Sequence, residues 1–84
     1  MSAPTVKVLF FARLREALPE PRLELTWPSS GSVADLRAAI TARGPEWSAL
    51  TPDLLVAVNQ DMATDDVMVS PGDEVAFFPP VSGG

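Results

Sequence analysis

SVADLRAAITARGP, running from Ser32 to Pro45, is the one stretch of this chain that reads as a helix with both ends marked. Ser32 supplies a side-chain oxygen for the first turn, and Asp35 stands at the capping-box offset in place of the usual Glu. Val33, Leu36 and Ile40 recur at helical spacing with Ala39 beside them, which leaves Asp35, Arg37 and Arg43 to face water. Gly44 followed by Pro45 ends the run, because glycine suits the residue after a helix and proline cannot continue it. A single capped helix in mid-chain decides the fold, since every other apolar run is short enough to be a strand.

Upstream, Arg22 to Trp27 alternates, with Leu23, Leu25 and Trp27 on one side and Arg22, Glu24 and Thr26 on the other. Val6 to Phe11 is largely apolar on both faces, which suits a central strand whose second face is at least partly covered. Between them Arg13 to Leu18 forms a short helical turn stopped by Pro19 and Pro21. Downstream of the helix, Glu46 to Leu50 reads as a turn and Leu54 to Val58 as an apolar strand ended by the turn Asn59-Gln60-Asp61. Val67 to Val69 is a short strand, Ser70-Pro71-Gly72-Asp73 a turn, and Glu74 to Phe78 the last strand. This order predicts an α+β domain of the β-grasp type, one main helix on a small mixed sheet. The crossover returns the third strand parallel to one of the first two. Residues 1–78 then form the domain and residues 79–84 an extended tail ending in Gly-Gly.

At 84 residues the chain suits a single domain, and 46% hydrophobic against 20% charged residues suits a packed one. It contains no cysteine, no histidine and a single lysine, Lys7. A disulfide framework, a thiolate or histidine metal site, a cysteine nucleophile and a Ser-His-Asp triad are thereby excluded. A net charge of −5 with six scattered Lys and Arg disfavours nucleic acid and favours basic partners. No apolar run approaches the ~18 residues of a membrane helix, and the start of the chain lacks the pattern of a secretory leader. No membrane association and a cytoplasmic location are the expectation.

Few side chains suggest chemistry. Asp65-Asp66 and Asp73-Glu74 are the only adjacent carboxylates; each pair adjoins a turn or strand start, where Asp is a turn former, and no D-x-D-x-D-G loop accompanies them. No metal site is expected. Arg13 and Arg15 read as a solvated pair or an anion contact, and Ser29-Ser30-Gly31-Ser32 lacks the phosphate-loop pattern. The tail differs: Pro79 and Pro80 stiffen the exit from the last strand, and Gly83 and Gly84 carry no side chains. A carboxylate on such a tail can enter a narrow tunnel in a partner. Chemically it is an acyl group awaiting activation.

The segments VKVLFFARLRE (Val6 to Glu16), LLVAVNQ (Leu54 to Gln60) and GDEVAFFPPVSGG (Gly72 to Gly84) resemble the ubiquitin-like small subunits of molybdopterin synthase, the MoaD family of sulfur carriers. The resemblance implies a carrier cycle in which a ubiquitin-activating-like adenylyltransferase uses ATP to adenylate Gly84 and a sulfurtransferase converts it to a thiocarboxylate. The large synthase subunit then receives the tail, and the sulfur passes to cyclic pyranopterin monophosphate. Gly84 is implied as the sulfur-carrying terminus, and Pro79, Pro80, Val81, Ser82 and Gly83 as the segment inside the partner's active site. No cofactor is expected on the chain itself.

Strand parity adds a docking face. If Val8, Phe10, Val75 and Phe77 lie under the helix, then Leu9, Phe11 and Phe78 lie outside, with Met62 beside them. Phe11, Met62 and Phe78 are expected to dock in turn against the activating enzyme and the large subunit, with Asp61 and Glu74 steering basic partners. Competing readings are a thiamine-pathway sulfur carrier, which shares the fold and the Gly-Gly end, a modifier conjugated through Gly84 to lysines, and an interaction domain with a frayed tail.

Overall fold

The structure is a computed structural model, and it describes residues 4–27 and 30–80. Strand β1 (Thr5–Phe10) leads through the short helix α1 (Leu14–Ala17) to β2 (Arg22–Thr26). Strand β3 (Gly31–Ser32) runs directly into helix α2 (Val33–Thr41), which a 3-10 turn (Pro45–Trp47) follows. Four strands complete the chain: β4 (Leu55–Val58), β5 (Asp61–Ala63), β6 (Met68–Val69) and β7 (Glu74–Phe78).

The main sheet has the order β2-β1-β7-β4-β5, and β3 pairs with β6 in a separate two-stranded ribbon. β1 is antiparallel to β2 (Val8 opposite Leu23) and parallel to β7 (Val8 opposite Val75, Phe10 opposite Phe77). The strand that follows α2 runs parallel to β2, as the crossover requires, but it is not a neighbour of the opening hairpin: it lies one place further out, antiparallel to β7. The last strand takes the central place because β7 is apolar on both sides, as β1 is.

Two strands were not expected. β5 follows β4 through Asn59 and Gln60 alone, both at positive φ (51° and 72°), the geometry of a tight hairpin turn whose twist matches its strands. β3 precedes α2 without an intervening loop and is short enough to leave no alternation to read.

The helix begins as its sequence predicts. Asp35 N donates to Ser32 Oγ and Ser32 N donates to Asp35 Oδ2, both at 3.1 Å. Val33 N and Ala34 N donate to the carbonyls of Val67 and Asp65 at 2.9 and 3.0 Å, so the loop before β6 satisfies two more free helix donors. At the other end Gly44 has φ 152°, and a Cβ there would meet the Glu46 carboxylate.

Val33, Leu36 and Ile40 pack onto Val6, Val8, Phe10, Val75 and Phe77, with Leu14, Leu18, Trp47 and Leu50 closing the edges. The Phe10 and Phe77 rings lie 6.1 Å apart, and Trp27 is half-buried, its indole Nε1 donating to Val69 O at 2.9 Å. Arg37 departs from expectation: it is 7% exposed rather than solvent-facing. Its guanidinium carbon sits 5.7 Å from the centre of the Phe77 ring, and Nη2 is 2.9 Å from Asp65 Oδ1. The spacing explains this. Arg37 stands four residues after Val33 and three before Ile40, on the same helix face as both.

Candidate docking face and tail

The sheet covers its inner face with α2 and leaves the outer face bare. Its register sets out that face in rows, because residues opposite each other on paired strands point the same way. One row runs Met62, Ala57, Ala76, Leu9 and Arg22 across all five strands. The next, toward the end of β7, pairs Leu55 with Phe78, whose ring stacks on Phe11 at 4.9 Å and 10° between planes. Phe11 is 38% exposed, Leu55 36% and Met62 66%, while Leu9 and Phe78 are half-exposed. Ala57 and Ala76 are nearly buried between these larger side chains, so the middle of the apolar face is a shallow hollow.

The structure therefore brings Phe11 and Phe78 into contact and puts Met62 on their face, diagonally across β4. Leu55 belongs with them and was not singled out from the sequence. Leu54 to Val58 is apolar throughout, so composition alone does not say which side chains turn outward; the register opposite Phe78 does.

A polar row closes the face at the far end. Lys7 stands between Glu24 and Glu74 in register. Asn59 Nδ2 donates to Asp73 Oδ1 at 3.1 Å, and Glu74 N donates to Asn59 Oδ1 at 3.0 Å, which ties the β4–β5 turn to the start of β7. Glu74 is half-exposed within this row, whereas Asp61, opposite Val58 and so on the helix side of the sheet, is exposed at its edge.

At the near end β7 finishes at Phe78, and Pro79 and Pro80 follow, both half-buried. Val81, Ser82, Gly83 and Gly84 lie outside the described residues. β1 and β7 are parallel, so the turn after β1 stands at the end where the tail leaves. Ala12 makes this turn at φ 56°, and Arg13 and Arg15 beyond it are exposed. Among the described residues the only ion pair is Arg37 with Asp65, and no three Cys, His, Asp or Glu side chains are grouped to hold a metal ion. Asp66 accepts a hydrogen bond from the Thr64 hydroxyl, which holds its carboxyl below the ordinary value. Both acids at 65 and 66 thus have local structural partners. No helix of the described residues is long and apolar enough to cross a membrane.

Comparison with known proteins fits this geometry. The model of the ThiS family matches residues 8–84. The molybdopterin synthase sulfur carrier subunit of Escherichia coli K12 is 42% identical over 81 residues, covering 94% of this chain and 99% of that one. Among solved structures, a putative molybdopterin converting factor subunit 1 from Pyrococcus furiosus superposes with a TM-score of 0.77 at 30% identity, covering 94% of this chain and 100% of the other. SAMP1 from Haloferax volcanii, a small archaeal modifier protein, superposes with a TM-score of 0.78 at 26% identity over 95% and 99% of the two chains. These structures share the ubiquitin-like β-grasp architecture.

Proposed function

The chain belongs to the ThiS family, and from that premise we propose that it is the sulfur carrier subunit of a molybdopterin synthase, working in the cytoplasm. The observation that carries the reading is the near end-to-end match to the Escherichia coli carrier at 42% identity.

In this reading residues 1–78 are the scaffold and residues 79–84 the working tail. A ubiquitin-activating-like adenylyltransferase binds the outer face, and the Gly84 carboxylate attacks the α-phosphorus of ATP with loss of pyrophosphate. A sulfurtransferase then replaces AMP with sulfur, leaving a thiocarboxylate. The large subunit takes the same face, receives Pro79 to Gly84 in its active site, and the sulfur moves to cyclic pyranopterin monophosphate. Phe11, Met62 and Phe78, with Leu55, supply the apolar contact. Asp61 and Glu74 steer partners whose docking surfaces are basic. The chain contributes no catalytic side chain of its own, which agrees with a sequence lacking cysteine and histidine.

The likeness to SAMP1 supports a second reading, in which the activated Gly84 is also transferred to amines. Intact mass after incubation with ATP, the activating enzyme and a sulfur donor separates the two. A carrier gains the difference between one sulfur and one oxygen; a modifier gains the mass of a second polypeptide. A protein that releases pyrophosphate with its activator and still acquires no sulfur contradicts the carrier reading.

A further inference from the structure

The sequence holds one lysine, and the fold places it conspicuously. Lys7 is exposed on β1, next to the middle of the sheet, with Glu24 and Glu74 opposite it on either neighbouring strand. Neither carboxylate is within ion-pair distance of its ammonium, since the pair formed among the described residues is Arg37 with Asp65. The side chain lines an open groove of about 830 Å³ together with Leu9, Pro21, Arg22, Glu24 and Glu74. Leu9, two residues along β1 and so about 7 Å away, belongs to the apolar row of the docking face. The lone primary amine among the side chains thus stands in a groove at the border of the surface that partners cover.

We propose that Lys7 is the acceptor at which the activated C-terminus of a second copy forms an isopeptide bond, and that docking of a partner on the outer face prevents it. The inference rests on the reading of Gly84 as an activated acyl group. Two terminal glycines have no side chains to clash with Glu24 and Glu74, so the tail of another copy can reach an amine that stands between them. The Lys7 ammonium first gives a proton to water. The free Nζ then attacks the Gly84 carbonyl carbon of the acyl-adenylate, the C–N bond forms, and the C–O bond to phosphate breaks. AMP leaves with that electron pair, and a second proton passes from nitrogen to water. Each acceptor keeps its own Gly84, so any polymer carries one linkage type. An interface of ordinary size, ~800 Å² on each partner, centred on Leu9 and Ala76 extends over Lys7. Carrier held by the large subunit is therefore protected.

The full chain is incubated with ATP, magnesium and the activating enzyme without a sulfur donor, and followed by denaturing gel, intact mass and fragment sequencing. The expected product is a covalent dimer, two chains less one water, linked Lys7 to Gly84. It is lost in Lys7→Arg, which keeps the charge, and suppressed when the large subunit is present. A dimer that persists in Lys7→Arg, or that forms equally with the large subunit bound, overturns the proposal. So does pyrophosphate release with no dimer. Absence of pyrophosphate release instead overturns the carrier reading itself, which distinguishes the two failures.

Discussion

Gln60 sits at φ 72° in the two-residue turn between β4 and β5, a conformation that costs an L-residue ~1–2 kcal/mol. Glycine there removes that cost and loses ~0.4–1 kcal/mol through the freer unfolded chain. Gln60→Gly is thus expected to raise stability by ~0.5–1 kcal/mol in urea titration; a loss would show that the side chain makes a contact the turn needs. The Arg37–Asp65 pair is asymmetric, with side chains 9% and 52% exposed. Removing the buried cation leaves a carboxylate that water can reach, whereas removing the carboxylate strands a guanidinium against Phe77. Asp65→Asn should therefore cost more than Arg37→Met, by roughly 1–3 kcal/mol once the exposure of Asp65 is allowed for. Equal losses in chemical denaturation would contradict the asymmetry. Arg37 is less legible in the sequence because two signals conflict: its position four after Val33 points inward while its charge favours water, and the spacing prevails.

Among the elements, α2 is nine residues long, too short to persist alone, and its first turn is held by Ser32 and by two backbone bonds to the loop before β6. Ser32→Ala removes one cap acceptor and should lower stability by ~1 kcal/mol in thermal or urea melts. A change within error would mean that the loop bonds suffice. The helix and the strands β1, β2, β4 and β7 were legible because each is long enough to display a period or a continuous apolar run. β6 is only two residues long, yet Val67 to Val69 and the turn after it already mark it, whereas β3 has two residues and β5 three; these two exist because a partner strand lies beside them, and pairing leaves no mark on so short a segment. The docking face was half legible. Parity puts Leu9, Phe11 and Phe78 outside from their own strands, but Leu55 enters only through the register of β4 against β7.

For the molecule as a whole, the outer face and the tail exit lie at one end of one sheet, and docking should separate from stability. Phe78→Ala loses its stacking on Phe11, worth ~0.5–1.5 kcal/mol beyond burial, yet affinity for the large subunit should fall by at least ~30-fold if Phe78 is a central anchor, since such anchors contribute ≥2 kcal/mol. Titration calorimetry on a variant that still melts cooperatively checks this, and unchanged affinity would remove Phe78 from the interface. The parallel pairing of β1 with β7 has a mechanical side as well. β7 is bonded along both edges, to β1 and to β4. A pull on the tail along the strand loads both ladders in shear, so many hydrogen bonds must give way together, whereas an edge strand unzips one bond at a time. A protein that grips the tail can draw it in and let it go without unravelling the domain behind it.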